Sequence, residues 1–230
     1  MKELIYITGD THGQFEHVIK FCNRFELTEE DIVIIVGDVG LNYFLNSKDK
    51  KAKELLSKQK PIFMCVHGNH EERPEYINTY RQIINKYGTF YLEEEYPNIL
   101  FMIDGNIYNI LEKSFLCMGG AYSVDKYYRL ENRWQWFNSE QMPEHIKEYI
   151  RNNYYGKSID VILSHTCPYK YIPREMFLKG LDQSTIDNSM ENFLDDCEDN
   201  IQYEKWICGH WHCNKTIDKL TFLFDEFINI

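Results

Sequence analysis

Five short runs of small and polar residues each follow a short apolar stretch of the chain. Between them they carry aspartate, histidine and asparagine, whose oxygen and nitrogen atoms ligate divalent cations. Each run stands where a buried strand should end, and ligands of open α/β sheets collect at the carboxyl ends of strands. The pattern therefore predicts a fold in which the five runs converge. The runs occupy residues 9–13 (GDTHG), 37–38 (GD), 68–71 (GNHE), 164–166 (SHT) and 209–212 (GHWH).

Continuous apolar and β-branched stretches before these runs are typical of strands that are buried on both faces. These strands are predicted at residues 4–8, 32–36, 62–66, 161–163 and 206–208, with a closing strand at 221–230. Apolar residues at intervals of three and four predict surface helices at residues 15–24, 48–59, 74–87, 140–153 and 185–199. The turn sequence DGN at 104–106 predicts a hairpin of residues 99–103 and 107–116. This order predicts two packed mixed sheets with helices outside, an α/β fold.

Composition limits where the chain works and what it binds. With 230 residues, and neither a repeat nor a linker, we expect one domain covering residues 1–230. The sequence shows no signal-peptide pattern and no apolar run near the ~20 residues that a membrane span needs. Its seven cysteines do not have the spacing of a disulfide framework. We therefore expect a cytoplasmic protein without membrane spans. A formal charge of −11 argues against broad nucleic-acid binding. The oligomeric state is not indicated.

The residue types in the five runs are suited to a pair of divalent cations about 3.5–4 Å apart, an arrangement that activates water against a phosphorus centre. Asp10 and His12 lie two residues apart in a loop and can face one ion, and a carboxylate such as Asp38 can bridge two ions. Asn69 offers a neutral amide oxygen. The mixture of carboxylate, imidazole and amide favours Mn²⁺, with Fe or Zn²⁺ as alternatives, over Ca²⁺. The other candidate ligands are His165, His210 and His212.

In this order the runs resemble the pattern D-x-H, G-D, G-N-H-[DE], H and G-H-x-H of the calcineurin-like metallophosphoesterase superfamily. The resemblance covers most of the chain and implies a four-layer αββα sandwich. It implies that Asp38 bridges the two metals and that His70 stabilises or protonates the leaving group. The residues 119–129 (GGAYSVDKYYR) also resemble uncharacterised bacterial and phage metallophosphatases, which brings no known substrate. The implied ligands are Asp10, His12 and His212 for one metal, and Asn69, His165 and His210 for the other.

One departure from the family separates this chain from the phosphoprotein-phosphatase branch. That branch continues its second motif as G-D-x-x-D-R-G, in which the later aspartate orients the catalytic histidine and the arginine grips phosphate. Here Leu41 and Asn42 occupy those two positions. A protein Ser/Thr phosphatase is therefore the less favoured alternative. The residue that orients His70 stays open, with Glu71 as one candidate.

We expect a dinuclear metal-dependent phosphoesterase that hydrolyses a phosphomonoester or phosphodiester, with small molecules or nucleotides favoured as substrates. A metal-bridging hydroxide would attack phosphorus in line with the leaving oxygen, and His70 would assist that oxygen. Lys126 or Arg129 would add a positive contact to the substrate phosphate. The alternative from another class is a non-catalytic metal-binding scaffold of the same fold, which the filled ligand positions disfavour.

Two further patterns have competing interpretations. Cys208 and Cys213 flank the last histidines and raise a structural zinc site, although the usual paired C-x₂-C spacing is missing. The aromatic residues Trp134, Trp136 and Phe137 are expected to pack in the core or at its rim. Their alternative role is a stacking wall beside the substrate.

Overall fold

The computed structural model describes residues 3–177 and 185–230. The strands are β1 (Ile5–Thr8), β2 (Ile32–Ile35), β3 (Ile62–Cys65), β4 (Arg81–Asn85), β5 (Gly88–Leu92), β6 (Ile99–Met102), β7 (Ile107–Ile110), β8 (Lys113–Met118), β9 (Ser158–Ser164), β10 (Gln202–Cys208), β11 (Lys215–Ile217), β12 (Leu220–Phe222) and β13 (Ile228–Asn229). The α-helices are α1 (Glu16–Arg24), α2 (Ser47–Ser57), α3 (Lys126–Glu131), α4 (Glu144–Tyr154) and α5 (Ser189–Asn200), and short 3-10 helices cover Pro74–Tyr76, Tyr169–Tyr171 and Arg174–Met176. None of the helices in this described part is both long and apolar enough to cross a bilayer.

The strands form two mixed sheets. The seven-stranded sheet has the order β13-β1-β2-β3-β6-β5-β4, in which β1, β2, β3 and β6 are mutually parallel. The six-stranded sheet has the order β11-β12-β10-β9-β8-β7, in which β12, β10, β9 and β8 are mutually parallel. The antiparallel pairings therefore lie toward the outer positions, and the parallel strands end together in the middle of each sheet.

Successive side chains of a strand point to opposite faces of its sheet, so the core consists of three apolar layers. In β2, Ile32 and Ile34 belong to the cluster between the sheets, which also contains Leu163 from β9. Val33 and Ile35 face the other way, toward α1 and α2. The outer face of the second sheet packs on α4 and α5 in the same manner. The central strands β2 and β6 are covered on both faces and are apolar throughout, and the predicted four-layer αββα sandwich of mixed sheets is confirmed.

The helix predicted at residues 74–87 is wrong. After the 3-10 turn at Pro74–Tyr76, residues 81–85 pair with 88–92 as an antiparallel hairpin, with Ile83 opposite Phe90. Asn85 accepts a hydrogen bond from the backbone N–H of Tyr87 at 2.9 Å, and this local turn closes the hairpin. Cross-strand pairing of isoleucine with an aromatic ring outweighed the helical spacing.

The predicted hairpin of residues 99–103 and 107–116 is also wrong, because β6 and β7 lie in different sheets. The turn at 104–106 crosses between the sheets, where the Asp104 carboxylate accepts hydrogen bonds from Arg73 and from the Gly119 N–H. The hairpin in this region joins β7 to β8 through Leu111 and Glu112, both at positive φ. The closing strand at 221–230 divides into β12 and β13, which belong to different sheets.

Candidate metal centre

The parallel strands place five candidate ligands at one end of the sandwich. Each follows the carboxyl end of a strand, where the backbone leaves the sheet and side chains can turn inward. These residues are Asp10 after β1, Asp38 after β2, Asn69 after β3, His165 after β9 and His210 after β10.

One group of donors consists of Asp10, His12 and His212, whose ligating atoms all lie within 4.8 Å of one another. The Nε2 atoms of His12 and His212 are 3.1 Å apart, and His212 Nε2 is 3.3 Å from Asp10 Oδ2. The backbone N–H of His210 donates to both oxygens of Asp10, at 2.9 and 3.1 Å, and so holds the carboxylate in place. The structure therefore brings together the three residues that the sequence resemblance implies for one metal, and their role as ligands stays a prediction.

A second group surrounds His165, which is fully buried. Its Nδ1 lies 3.0 Å from the Val36 carbonyl and donates to it, so Nε2 is the ring nitrogen that faces the centre. His165 Nε2 lies 2.8 Å from Asn69 Oδ1 and 3.5 Å from Asp38 Oδ1. Asn69 Nδ2 donates to Ser123 Oγ at 2.9 Å, which turns the amide oxygen inward. Two oxygen atoms and one ring nitrogen therefore converge on one point, where either a proton on Nε2 or a cation can lie between them.

Asp38 is the member shared between the groups. Its ligating oxygens fall within 4.8 Å both of His12 and His70 and of Asp10 and His165. Asp38 is 2% exposed, and although burial alone raises its pKa, His165 holds that pKa well below its usual range. A buried carboxylate between two donor groups fits a residue that bridges two cations.

The electrostatic field of the centre favours a bound cation. Burial lowers the pKa of His165, but the carboxylates of Asp38 and Asp10 outweigh it and raise that pKa to about 9. Burial and the neighbouring His165 hold the pKa of His210 well below its usual value, so its lone pair is available. A field that retains a proton on a fully buried imidazole also attracts a divalent cation. The chemistry of the donors and their crowding therefore fit two metal ions.

Backbone conformation is unusual in these loops. His12, Asp38, His210 and His212 all have φ between 44° and 65°, the left-handed region that side chains other than glycine seldom adopt. Gly37 has φ 98°, and a Cβ atom at that position would lie 2.1 Å from His165 Nδ1. The loops therefore fold back sharply to bring the donors together.

His70 sits at the edge of the centre, and its backbone N–H donates to Asp38 Oδ1 at 2.8 Å. Glu71 does not orient it, because Glu71 Oε1 accepts instead from the N–H groups of Gly68 at 3.1 Å and Val39 at 3.3 Å. Burial and the nearby Asp38 raise the pKa of Glu71 to about 8. The candidate that the sequence offered for orienting His70 is therefore wrong.

Arg129 is the side chain that contacts the imidazole of His70, through its Nη2 atom. The guanidinium is buried, donates from Nε to Asp125 Oδ2 at 2.8 Å and lies 5.8 Å from the ring centroid of Tyr43. Burial lowers the pKa of His70, and the positive charge of Arg129 lowers it further against the opposing effect of Asp38. The side chain that positions the His70 imidazole is therefore the cation Arg129 and not a carboxylate.

Lys126, the other predicted phosphate contact, lies elsewhere. Its ammonium group is 4.1 Å from the ring centroid of Trp136, whose indole N–H donates to Glu140 Oε2 at 2.8 Å. Trp134 is 55% exposed and packs edge-on against Tyr128. Both tryptophans therefore pack against side chains of α3, Trp134 against Tyr128 and Trp136 against Lys126, in line with the packing interpretation.

Cysteine does not contribute to the centre. Among the described residues, the groups of three donors close enough to share one ion contain no cysteine. Cys208 is fully buried at the end of β10, and Cys213 is partly buried. The structural zinc alternative for these two residues is wrong.

Sequence reasoning missed two residues that line the site. Ser123 receives the Asn69 amide hydrogen bond, and Tyr43 stands beside Arg129 and His70. Ser123 lies within the segment 119–129 that the second resemblance had marked. Tyr43 carries no comparable signal, since its position depends on how the loop after Asp38 packs.

A four-layer sandwich with carboxylate, imidazole and amide donors at the ends of its parallel strands defines the class of metallophosphoesterases. Residues 4–214 match the family of calcineurin-like phosphoesterases, and the chain belongs to this family, whose members are metal-dependent phosphoester hydrolases. The protein is similar, at 25% identity over 199 residues, to an uncharacterized protein of Methanocaldococcus jannaschii, covering 79% of this chain and 93% of that one.

Solved structures show more distant likenesses. The phosphopantetheinyl hydrolase of Mycobacterium tuberculosis is 11% identical with a TM-score of 0.45, covering 97% of this chain and 88% of that one. A protein serine/threonine phosphatase of Saccharomyces cerevisiae is 14% identical with a TM-score of 0.33, covering 96% of this chain and 67% of that one. Likenesses at these scores do not bear on the substrate.

Proposed function

We propose that this chain hydrolyses phosphate esters, either phosphomonoesters or phosphodiesters, using two divalent cations held by seven of its side chains. The observation that carries the proposal is the convergence of three ligating atoms, with His165 Nε2 at 2.8 Å from Asn69 Oδ1 and 3.5 Å from Asp38 Oδ1. Mn²⁺ is the favoured cation, because the donors mix hard oxygen with imidazole. The proposed ligands are Asp10, His12 and His212 at one position, Asn69, His165 and His210 at the other, and Asp38 between them.

When bound, two divalent cations lower the pKa of water toward roughly 7 and offset the negative charge of the phosphoryl oxygens. In-line attack of hydroxide on phosphorus then expels the alcohol oxygen. His70 assists that oxygen by donating a hydrogen bond or a proton, a contribution of typically ~10²–10⁴ in rate. Burial and the charge of Arg129 lower the pKa of His70, against the opposing effect of Asp38. Arg129 holds this imidazole and adds positive charge beside the phosphoryl group.

Small-molecule or nucleotide esters are the favoured substrates. At the position where the phosphoprotein-phosphatase branch carries an arginine, the Asn42 side chain is fully buried and its Oδ1 accepts a hydrogen bond from the Tyr80 hydroxyl at 2.9 Å. This side chain faces the core and offers no charge to a substrate, so the cation that we propose for this role is Arg129, which contacts His70. The arrangement supports a substrate whose phosphate is bound by the segment around Arg129.

The test is hydrolysis of p-nitrophenyl phosphate and bis(p-nitrophenyl) phosphate by purified protein with Mn²⁺, Fe²⁺, Zn²⁺ or no added metal. We expect activity with at least one ester, abolished by a chelator and restored by metal. Metal analysis after dialysis should give two ions for each chain. Activity that persists without metal would contradict the proposal, and so would a chain that binds two ions but cleaves neither ester.

A further inference from the structure

An aromatic ring that the proposed chemistry does not use stands beside His70. The Tyr43 and His70 rings are 6.4 Å apart between centroids, with 26° between their planes. Tyr43 is partly exposed and follows Asp38 by five positions in the same loop. The guanidinium carbon of Arg129 lies 5.8 Å from its ring centroid. The ring therefore borders the place where the leaving oxygen would be assisted.

The orientation of Tyr43 is built into the fold. Phe44 packs edge-on against it, with centroids 4.8 Å apart and planes at 85°. Phe137 does the same at 6.5 Å and 84°, and Phe137 is itself buried. Edge-to-face contacts of this kind hold a ring in a defined plane. Tyr43 thus presents a fixed aromatic surface, unlike the exposed Tyr127 on α3.

We propose that Tyr43 and Arg129 form a subsite for a planar aromatic leaving group, so that the preferred substrates are aryl phosphates. This proposal rests on the phosphoesterase function and on the placement of His70 at the leaving oxygen. A ring bonded directly to that oxygen would lie beside His70, whose ring centroid is 6.4 Å from that of Tyr43, whereas the base of a nucleotide is separated from phosphorus by a ribose. The positive charge of Arg129, beside the Tyr43 ring, also attracts the face of an aromatic leaving group.

Inhibitor binding tests the subsite without any difference in leaving-group chemistry. Phenylphosphonate and cyclohexylphosphonate have similar size, and only the first is aromatic. With the metal-loaded enzyme we expect phenylphosphonate to bind about two- to tenfold more tightly, the range expected for one aromatic pair. Tyr43→Leu should reduce this ratio to about one, and Tyr43→Phe should restore it. Tyr149→Leu, which removes an exposed tyrosine from α4, should leave the ratio unchanged.

An equal affinity of wild type for the two phosphonates would overturn the subsite, as would an unchanged ratio in Tyr43→Leu. Circular dichroism and metal content of each variant show whether it has folded. The phenyl ring could belong to a free aryl phosphate or to phosphotyrosine in a peptide, and kcat/KM for phenyl phosphate and for a short phosphotyrosyl peptide separates the two sources. If wild type cleaves no ester at all, the phosphoesterase function fails; if it cleaves esters with a flat inhibitor ratio, only the subsite fails.

Discussion

The ligand loops and the segment that covers them are built in different ways. The ligand loops leave parallel strands at the centre of two sheets, and each donor lies within a few residues of a strand end. The covering segment, residues 119–142, contains only the short helix α3 and is held by tertiary contacts. Its base is fixed where the Gly120 N–H donates to the His67 carbonyl and Arg73 Nε donates to the Ser139 carbonyl, both at 2.8 Å.

We therefore expect the ligand loops to determine the reaction and the covering segment to determine which substrate is bound. Side chains on rigid strand ends define the proposed metal positions, and such positions tolerate little displacement. The covering segment supplies Arg129 and supports Tyr43 through Phe137, so it bears on how a substrate is held. We therefore expect substitutions in the ligand loops to reduce activity on every ester. Substitutions in the covering segment should have smaller effects that depend on the substrate.

The largest effect is expected for Asp38→Asn. Removing the charge shared by both donor groups should lower kcat/KM by more than about a thousandfold for every ester and reduce metal content below two ions. Parallel measurements of steady-state rates and of metal stoichiometry check this. Asp218→Asn, a change in an exposed turn, is the matched control. A variant that keeps both ions and normal rates would remove Asp38 from the centre.

His70→Ala should be next, because it removes assistance to the leaving oxygen while the proposed ligands stay. We expect kcat to fall ~10²–10⁴-fold with two ions still bound. The loss should be larger for alkyl than for p-nitrophenyl esters, since a poorer leaving group depends more on the donated proton. His145→Ala on α4 is the control. Loss of one ion in His70→Ala would instead make His70 a ligand.

Arg129→Ala tests the covering segment itself. A lost charge-assisted contact is worth about 1.5–3 kcal/mol, so kcat/KM should drop roughly ten- to a hundredfold with metal content unchanged. Arg129→Lys should recover only part of this, because lysine cannot reproduce the planar fork. Arg24→Ala at the end of α1 controls for loss of charge. An equal loss of both ions and activity would place Arg129 with the ligand loops.

Lys126→Ala should have the smallest effect. Its ammonium group lies against Trp136 and not against the centre, so kcat/KM should change by less than about twofold. Rates on p-nitrophenyl phosphate, measured beside Arg129→Ala, provide the comparison. A loss as large as that of Arg129→Ala would mean that Lys126 reaches the substrate.

The sequence predicted the two-sheet sandwich and the convergence of the candidate ligands at one end of it. Both could be predicted because they depend on short local patterns in the chain. A buried strand followed by glycine and a ligand is visible in the chain around Asp38 or His210. The contact of Arg129 with His70 was not visible, since it joins residues 59 positions apart across a tertiary interface. The hairpin through Leu111 and Glu112 was missed for a related reason. Its turn has positive φ at both positions without the glycine or asparagine that usually signals one.

Four of the seven proposed ligands have left-handed backbone conformations, each of which costs on the order of 1–2 kcal/mol for a residue with a side chain. Glycine at any of these four positions would relieve that cost and delete a donor in the same step. Efforts to raise the melting temperature of this protein by relaxing its backbone should therefore erode hydrolysis at these positions. Metal binding should in turn stabilise the folded chain, so its melting temperature should be higher with Mn²⁺ than with chelator.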